Sequence, residues 1–248
     1  MDPINTFYDQ MNSAKPETVD VTFDQTIAQL PKLSGVRLLD IGCWDGSKTV
    51  LMAEKLGASE VWGVDFNVSR LAEAERRGVK TKCVDFNTGF PLDIPSEYFD
   101  VVFCGEVIEH VFSPDDLMDE ITRLLRTGGY AIITTPNLAS WKNRLILLLG
   151  WQPFYTEVST RARYGNPRAP RGLPSGHIRM FTPRALSELA YACGLELERI
   201  VAVGAPSPEA GLVGKISRFV DTHLLPYRPT LGDRMVVRLR KRANRSSK

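Results

Sequence analysis

No stretch of this chain approaches the roughly eighteen uninterrupted apolar residues that a membrane-spanning helix requires. The opening MDPINTFYDQ has no basic region running into an apolar one, as an export signal would. The expectation is a soluble, cytoplasmic protein. Cysteine is scarce: Cys43, Cys83, Cys104 and Cys193 stand singly, without the paired spacing of a zinc or redox motif. Reduced, buried thiols are expected of them. Histidine is scarcer still, with three residues, and no ligand spacing links these to the acids. No metal is therefore read from the sequence. What remains is 248 residues with 43% hydrophobic content, enough to bury the core of one large α/β domain.

Net charge is small as well, +2, but it is unevenly spread. Residues 136–181 carry seven Lys or Arg against one acid, Glu157, and residues 234–248 carry seven more with no acid. Such asymmetry favours an anionic substrate, an anionic membrane surface or nucleic acid. A solvated tail is the plain reading of the second run.

Short β-branched runs alternate with helical patterns. RLLDI (37–41), EVWGVD (60–65), VKTKCV (79–84), DVVFCG (100–105) and YAIITT (130–135) read as strands. Between them, 47–56, 69–77 and 114–126 read as helices, with Ser69 and Ser113 as N-caps, Pro114 in a first turn, and Gly128 and Gly129 as a stop. That rhythm predicts a parallel sheet with helices on both faces. After Pro136 it breaks into an apolar or amphipathic helix over 141–151 and a loop rich in Arg, Gly and Pro. A helix over 183–193 and strands over 195–204 and 235–240 follow, and a helix near 21–30 precedes the first strand. The expected division is a helical cap (1–34), a core (35–136), an insertion (137–181) and a C-terminal part with a basic tail (182–248).

LLDIGCWDGSKT (38–49) runs from an apolar strand through a glycine-bounded turn into a helix. In an open parallel sheet, ligands settle where the first strand turns into the first helix. Gly42 and Gly46 let the backbone approach a ligand and adopt torsions that a side chain forbids. Asp40 precedes them, Asp65 ends the second strand and Asp85 ends the third. Three acids at successive strand ends suit a ligand whose ribose hydroxyls and adenine amine are donors.

The set DIGCWDG, GVDFN, FDVVFCGEVIEHV and LLRTGGYAIITTPN resembles the class I S-adenosylmethionine-dependent methyltransferases, and most of all their ubiquinone-biosynthesis-like O-methyltransferase branch. The likeness covers roughly residues 36–136, with a weaker echo in GHIRMFTPRAL (176–186). It implies a Rossmann-like, doubly wound, mostly parallel seven-stranded sheet with an insertion after the fifth strand, and S-adenosylmethionine as cofactor. It places Asp40, Gly42, Cys43, Trp44 and Gly46 around the methionine part and ribose. Asp65 would accept both ribose hydroxyls with Phe66 beside the adenine, Asp85 and Phe86 would contact the adenine amine and ring face, and Glu106 would open toward the reaction centre. Trp44 departs from the family pattern, which usually has glycine there; its indole could cover the methionine pocket or narrow the way in for substrate.

Methyl transfer from a sulfonium is an in-line displacement, accelerated chiefly by alignment. A hydroxyl acceptor must also lose a proton, which a histidine near neutrality removes. His110 is the first candidate base, beside a structural hydrogen-bonding reading, and His177 the second, as base or substrate-orienting group. Trp141, Trp151, Phe154 and Tyr155 supply apolar wall in the insertion, while Arg161, Arg163, Arg168, Arg171 and Arg179 could grip phosphate or carboxylate. In a plainer reading, Leu145–Leu149 pack on the sheet and the arginines are solvated. In a third, the helix and basic tail rest peripherally on an anionic bilayer. The expected function is methylation of a hydroxyl on a small, anionic, lipid-linked or glycan metabolite. RNA methylation and an inactive cofactor-binding scaffold are the alternatives, the former set back by the lack of an RNA-binding module.

Overall fold

Leu38 and Leu39 are adjacent in strand β1 (Arg37–Ile41) and bury against opposite faces of one sheet, because successive strand side chains alternate in direction. In the computed structural model, which describes residues 21–166, 174–204, 212–220, 223, 228 and 230–243, β1 lies near the middle of seven strands. The others are β2 (Glu60–Asp65), β3 (Lys80–Cys83), β4 (Phe99–Gly105), β5 (Leu125–Pro136), β6 (Leu195–Val203) and β7 (Arg234–Lys241). Their order is β3-β2-β1-β4-β5-β7-β6. β1 to β5 pair in parallel, while β7 runs antiparallel between β5 and β6. The chain reverses its direction of travel across the sheet between β1 and β4, and the carboxyl ends of those strands open the crevice typical of this topology.

One face carries helix α4 (Pro114–Leu124) and helix α6 (Pro183–Ala192), whose Leu117, Met118, Ile121, Leu124 and Leu186 join Leu39, Val102 and Ile133 in the larger core. The other is covered by α1 (Val21–Gln29) and α2 (Ser47–Leu56); Met52 and Leu56 of α2 pack with Leu38, Val101 and Ile132. Helix α3 (Val68–Arg76) follows β2, α5 (Trp141–Leu148) follows β5, and α7 (Leu212–Phe219), which the sequence pattern did not single out, precedes β7.

Three local expectations are corrected. Asn67, not Ser69, caps α3: its side chain accepts from the Arg70 N–H, and the Ser69 hydroxyl donates to Asn67 Oδ1 at 2.7 Å. Gly128 and Gly129 do not stop α4, which ends at Leu124; they sit inside β5, where Phe99 faces Leu125 but Val101 faces Tyr130. Gly128 has φ 77, and a Cβ on Gly129 would lie 2.9 Å from the Arg126 carbonyl, so glycine is what lets the strand bulge there. Of the four free cysteines, Cys43 and Cys104 are buried, but Cys83 is exposed on edge strand β3 and Cys193 is half-buried.

The insertion leaves the sheet at Asn137 and returns at Phe181, and these two residues form a β-bridge. Its root is polar and buried: the Lys142 ammonium donates to Asp233 Oδ2 at 2.5 Å, and the Asn137 amide donates to the carbonyls of Thr230 and Gly232. Among the described residues, no helix is long and apolar enough to cross a membrane.

Candidate active site at the carboxyl ends of the strands

The β1–α2 turn is held by its neighbours. Gly42 and Gly46 have φ 81 and 76, and a Cβ on either would strike the Val107 side chain at 2.4 Å or Ala74 at 2.9 Å. The glycines thus serve a left-handed backbone and close packing together. Trp44, with φ 51, occupies the same region without being glycine. Its N–H donates to Asp65 Oδ2 at 3.0 Å, and its indole lies beneath the Arg70 guanidinium, 4.7 Å from the ring centre. The ring is therefore held on the α3 side of the crevice. Cys43 points the other way, its sulfur where a Cβ on Gly63 would be; burial pushes its thiol pKa up, so it is packing, not a nucleophile.

Asp65 sits at the end of β2 with little exposure; its Oδ1 accepts the Asn67 N–H at 2.9 Å and its Oδ2 that of Trp44. Burial raises its pKa, and those backbone donors oppose the rise. A carboxylate offers about four lone-pair positions, so the backbone donors of Asn67, Trp44 and Phe66 leave acceptor capacity for a ligand hydroxyl. Asp40 is fully enclosed. Burial lifts its carboxyl to about 7, against the Thr49 hydroxyl that donates to Oδ2 at 2.5 Å, and Oδ1 has no hydrogen-bond partner among the described residues. Phe66 follows Asp65, half-buried. Asp85 lies two residues beyond β3, exposed, accepting from the Asn87 N–H and the Thr88 hydroxyl, and Phe86 stacks on Phe90 at 6.3 Å.

Beyond β4 the chain turns through Glu106, at φ 55, whose carboxylate meets Arg234 at 3.2 Å. Glu109 is completely buried; Thr135 donates to its Oε2 at 3.0 Å, while Oε1 has no hydrogen-bond partner among the described residues. Burial, then Glu106, raises its pKa well above the usual range. The fold brings His110 and His177 together, ring centres 4.9 Å apart. His110 Nδ1 faces the Gly176 carbonyl at 3.0 Å and His177 Nδ1 faces the Tyr155 carbonyl at 2.9 Å. A carbonyl only accepts, so each Nδ1 carries the proton and each Nε2 of the neutral ring offers a lone pair. Burial, then His177, lowers His110 to about 4, and burial lowers His177. Ligand atoms of Glu109, His110 and His177 all lie within 4.8 Å of one another. Spacing along the chain showed no ligand set; the fold brings together three side chains that could hold a cation.

The segment bearing His177 is clamped from two sides. Ile178 and Arg179 donate their N–H groups to the Glu109 carbonyl at 2.8 and 3.0 Å. The Glu157 carboxylate accepts from the N–H groups of Ser175, Gly176 and His177 and pairs with Arg163 at 3.6 Å. Glu109, Thr135, Glu157 and Arg234 were not candidates from sequence. The available signals were the acid three residues after Glu106 and the single acid in a basic segment. Of the insertion arginines, Arg161 is exposed, Arg179 donates to the Phe112 carbonyl, and Arg168 and Arg171 lie outside the described residues. An open cleft of about 570 Å³ lies at the opposite, amino ends of the strands. There Glu60 already accepts from Lys80, Trp62 and Tyr98, so we place the chemistry at the carboxyl ends instead.

An open α/β sheet with a glycine turn after β1, an acid ending β2 and unsatisfied carboxylate oxygens at the crevice belongs to the Rossmann-like class and suits a nucleoside ligand. The residues fit S-adenosylmethionine: Asp65 keeps acceptor capacity for a ribose, and the buried Asp40 Oδ1 has no hydrogen-bond partner among the described residues. A family profile described as "Methyltransferase domain" matches residues 17–200, and the chain belongs to that family, for which S-adenosylmethionine is the cofactor. It is similar to the ubiquinone biosynthesis O-methyltransferase of Bradyrhizobium sp. (strain ORS 278), 34% identical over 133 residues, covering 52% of this chain and 50% of the relative. The enzyme of that name from Aeromonas salmonicida (strain A449) is 30% identical over 168 residues, covering 66% and 64%. The chain thus spans about half to two-thirds of the length of these relatives. In fold it is similar to the methyltransferase in complex with the Haloferax volcanii Trm112 methyltransferase activator, with TM-score 0.68, 12% identity and coverage of 98% and 99%. A Mesorhizobium loti S-adenosylmethionine-dependent methyltransferase gives TM-score 0.57, 17% identity and coverage of 88% and 96%.

Proposed function

We propose that this chain transfers the methyl group of S-adenosylmethionine to a hydroxyl of a small acceptor, anionic or lipid-linked. The observation that carries this reading is the convergence of His110, His177 and Glu109 at the carboxyl ends of the strands, with each histidine Nδ1 facing a backbone carbonyl. The sulfonium supplies the methyl carbon and the leaving group. The protein's work is to hold the nucleoside at Asp65 and Asp40, align the acceptor oxygen opposite the sulfur, and receive or weaken the acceptor's proton. The relatives' name, ubiquinone biosynthesis O-methyltransferase, supports oxygen as the atom methylated.

A base held near pKa 4, as His110 is, is a weak proton acceptor at neutral pH, since catalysis favours a pKa near the operating pH. The same neutral imidazole is a good metal ligand. A second reading therefore has Glu109, His110 and His177 bind a divalent cation that lowers the acceptor pKa. Methyl-labelled S-adenosylmethionine, incubated with fractionated extract including the lipid fraction, tests both readings. Labelled product formed after chelation favours the base reading, and product restored only by added Mg²⁺ or Mn²⁺ favours the cation. Absence of labelled product in every fraction, with cofactor binding intact, overturns the proposal.

A further inference from the structure

The helix that opens the insertion is anchored at one end and bare at the other. Its first turn is locked in: Lys142 and Asn143 are buried, and the Trp141 N–H donates to the Leu231 carbonyl at 3.0 Å. Its far end is not. Leu147, Leu148 and Leu149 are 61%, 82% and 66% exposed, and Leu145 and Trp151 are each 48% exposed. The expectation that these leucines pack on the sheet is overturned. The Gln152 N–H donates to the Gly165 carbonyl at 2.9 Å, folding the following loop back so that Tyr164, also exposed, lies at the same end.

We infer that this apolar tip docks on an anionic phospholipid bilayer. The geometry favours lipid over a second protein surface. At roughly 100° per residue, leucines at 145, 147, 148 and 149 spread over more than half of the helix circumference, with the half-buried Ile146 on the remaining side. A flat protein partner covers one face of a helix; a fluid interface surrounds a protruding end. The charge agrees. Arg144 and Arg161 are exposed in the same segment, and the only acid between residues 137 and 166, Glu157, has its carboxylate turned inward onto the backbone of residues 175–177. Basic groups around an apolar tip suit the negative surface potential of anionic lipid, and an indole and a phenol suit the headgroup level. The same loop carries Tyr155, whose carbonyl holds His177. Docking here would bring the acceptor site to the bilayer, a consequence that rests on the proposed function although the docking itself does not.

Flotation of the full chain with phosphatidylcholine vesicles, with and without phosphatidylglycerol, tests the inference without any methyl transfer. Wild type should float with the phosphatidylglycerol vesicles at low salt and be largely released by high salt. The double variant Leu147→Glu, Leu148→Glu alters exposed side chains only; it should bind vesicles roughly tenfold less or weaker while keeping S-adenosylmethionine affinity. Failure of wild type to float at low salt overturns the inference, as does equal flotation of the variant. A concentration-dependent dimer without vesicles, abolished by the same double variant, would instead assign the tip to a second copy of the chain.

Discussion

The carboxylate of Asp65 accepts the backbone N–H of Trp44 at 3.0 Å, joining the end of β2 to the turn after β1 across 21 residues. Trp44 makes this bond from a left-handed conformation, which links the torsion of one residue to the position of the acid that ends β2.

That coupling makes residue 44 sensitive to backbone preference. A left-handed L-residue costs roughly 1–2 kcal/mol, and a β-branched one is worse. Trp44→Val should lower unfolding free energy by at least about 1 kcal/mol, whereas Trp44→Gly should come closer to wild type despite losing the contact with Arg70. Urea denaturation of the two variants checks the order.

The buried Asp40 gives a pH signature. Its folded pKa, about 7, lies above the ordinary value of 3.8, so between those limits the folded state binds more protons than the unfolded chain. Stability from this group is therefore fullest below about pH 4 and declines as pH rises toward 7. Melting temperatures of wild type, measured against Asp40→Asn across that window, should fall relative to the variant as pH rises. A parallel course for both would show that Asp40 does not titrate there.

His177 and its clamp separate chemistry from cofactor binding. His177→Ala should cut methyl transfer by roughly 10²–10⁴ with cofactor affinity unchanged. Glu157→Ala should destabilise the fold by about 1–3 kcal/mol, because three backbone N–H groups of residues 175–177 lose their acceptor. It should also lower kcat more than it changes KM for the cofactor. Steady-state kinetics and denaturant unfolding measure the two effects.

The β1–β2 side of the crevice was legible because its signals are local. Alternation in RLLDI, two glycines in one turn and an acid at the end of EVWGVD each report their own surroundings, and the strands follow these patterns closely. The cluster of His110, His177 and Glu109 was not, because its geometry comes from distant chain. His177 is 67 residues from His110, and the Glu157 clamp, the Glu109 carbonyl and the ring nitrogens' own bonds to the Gly176 and Tyr155 carbonyls bring it back. The same difficulty hid the cap of α3: Asn67 and Ser69 both suit a cap, and the Asp65 carboxylate, by taking the Asn67 N–H, favours the earlier one. In β5, two glycines that would end a helix in isolation instead shape a strand, since the carbonyls of Arg126 and Asp100 leave no space for a Cβ at Gly129. The leucines of α5 looked like core by composition alone. The buried Lys142–Asp233 pair anchors only the helix base, and the tip is left outside.

The most direct test of the account is calorimetric titration of S-adenosylmethionine into Asp65→Ala beside wild type, with circular dichroism to establish that the variant is folded. Removing the acceptor for the ribose hydroxyls should weaken binding by roughly tenfold or more. Unchanged affinity in a folded variant would contradict the placement of the nucleoside at the end of β2.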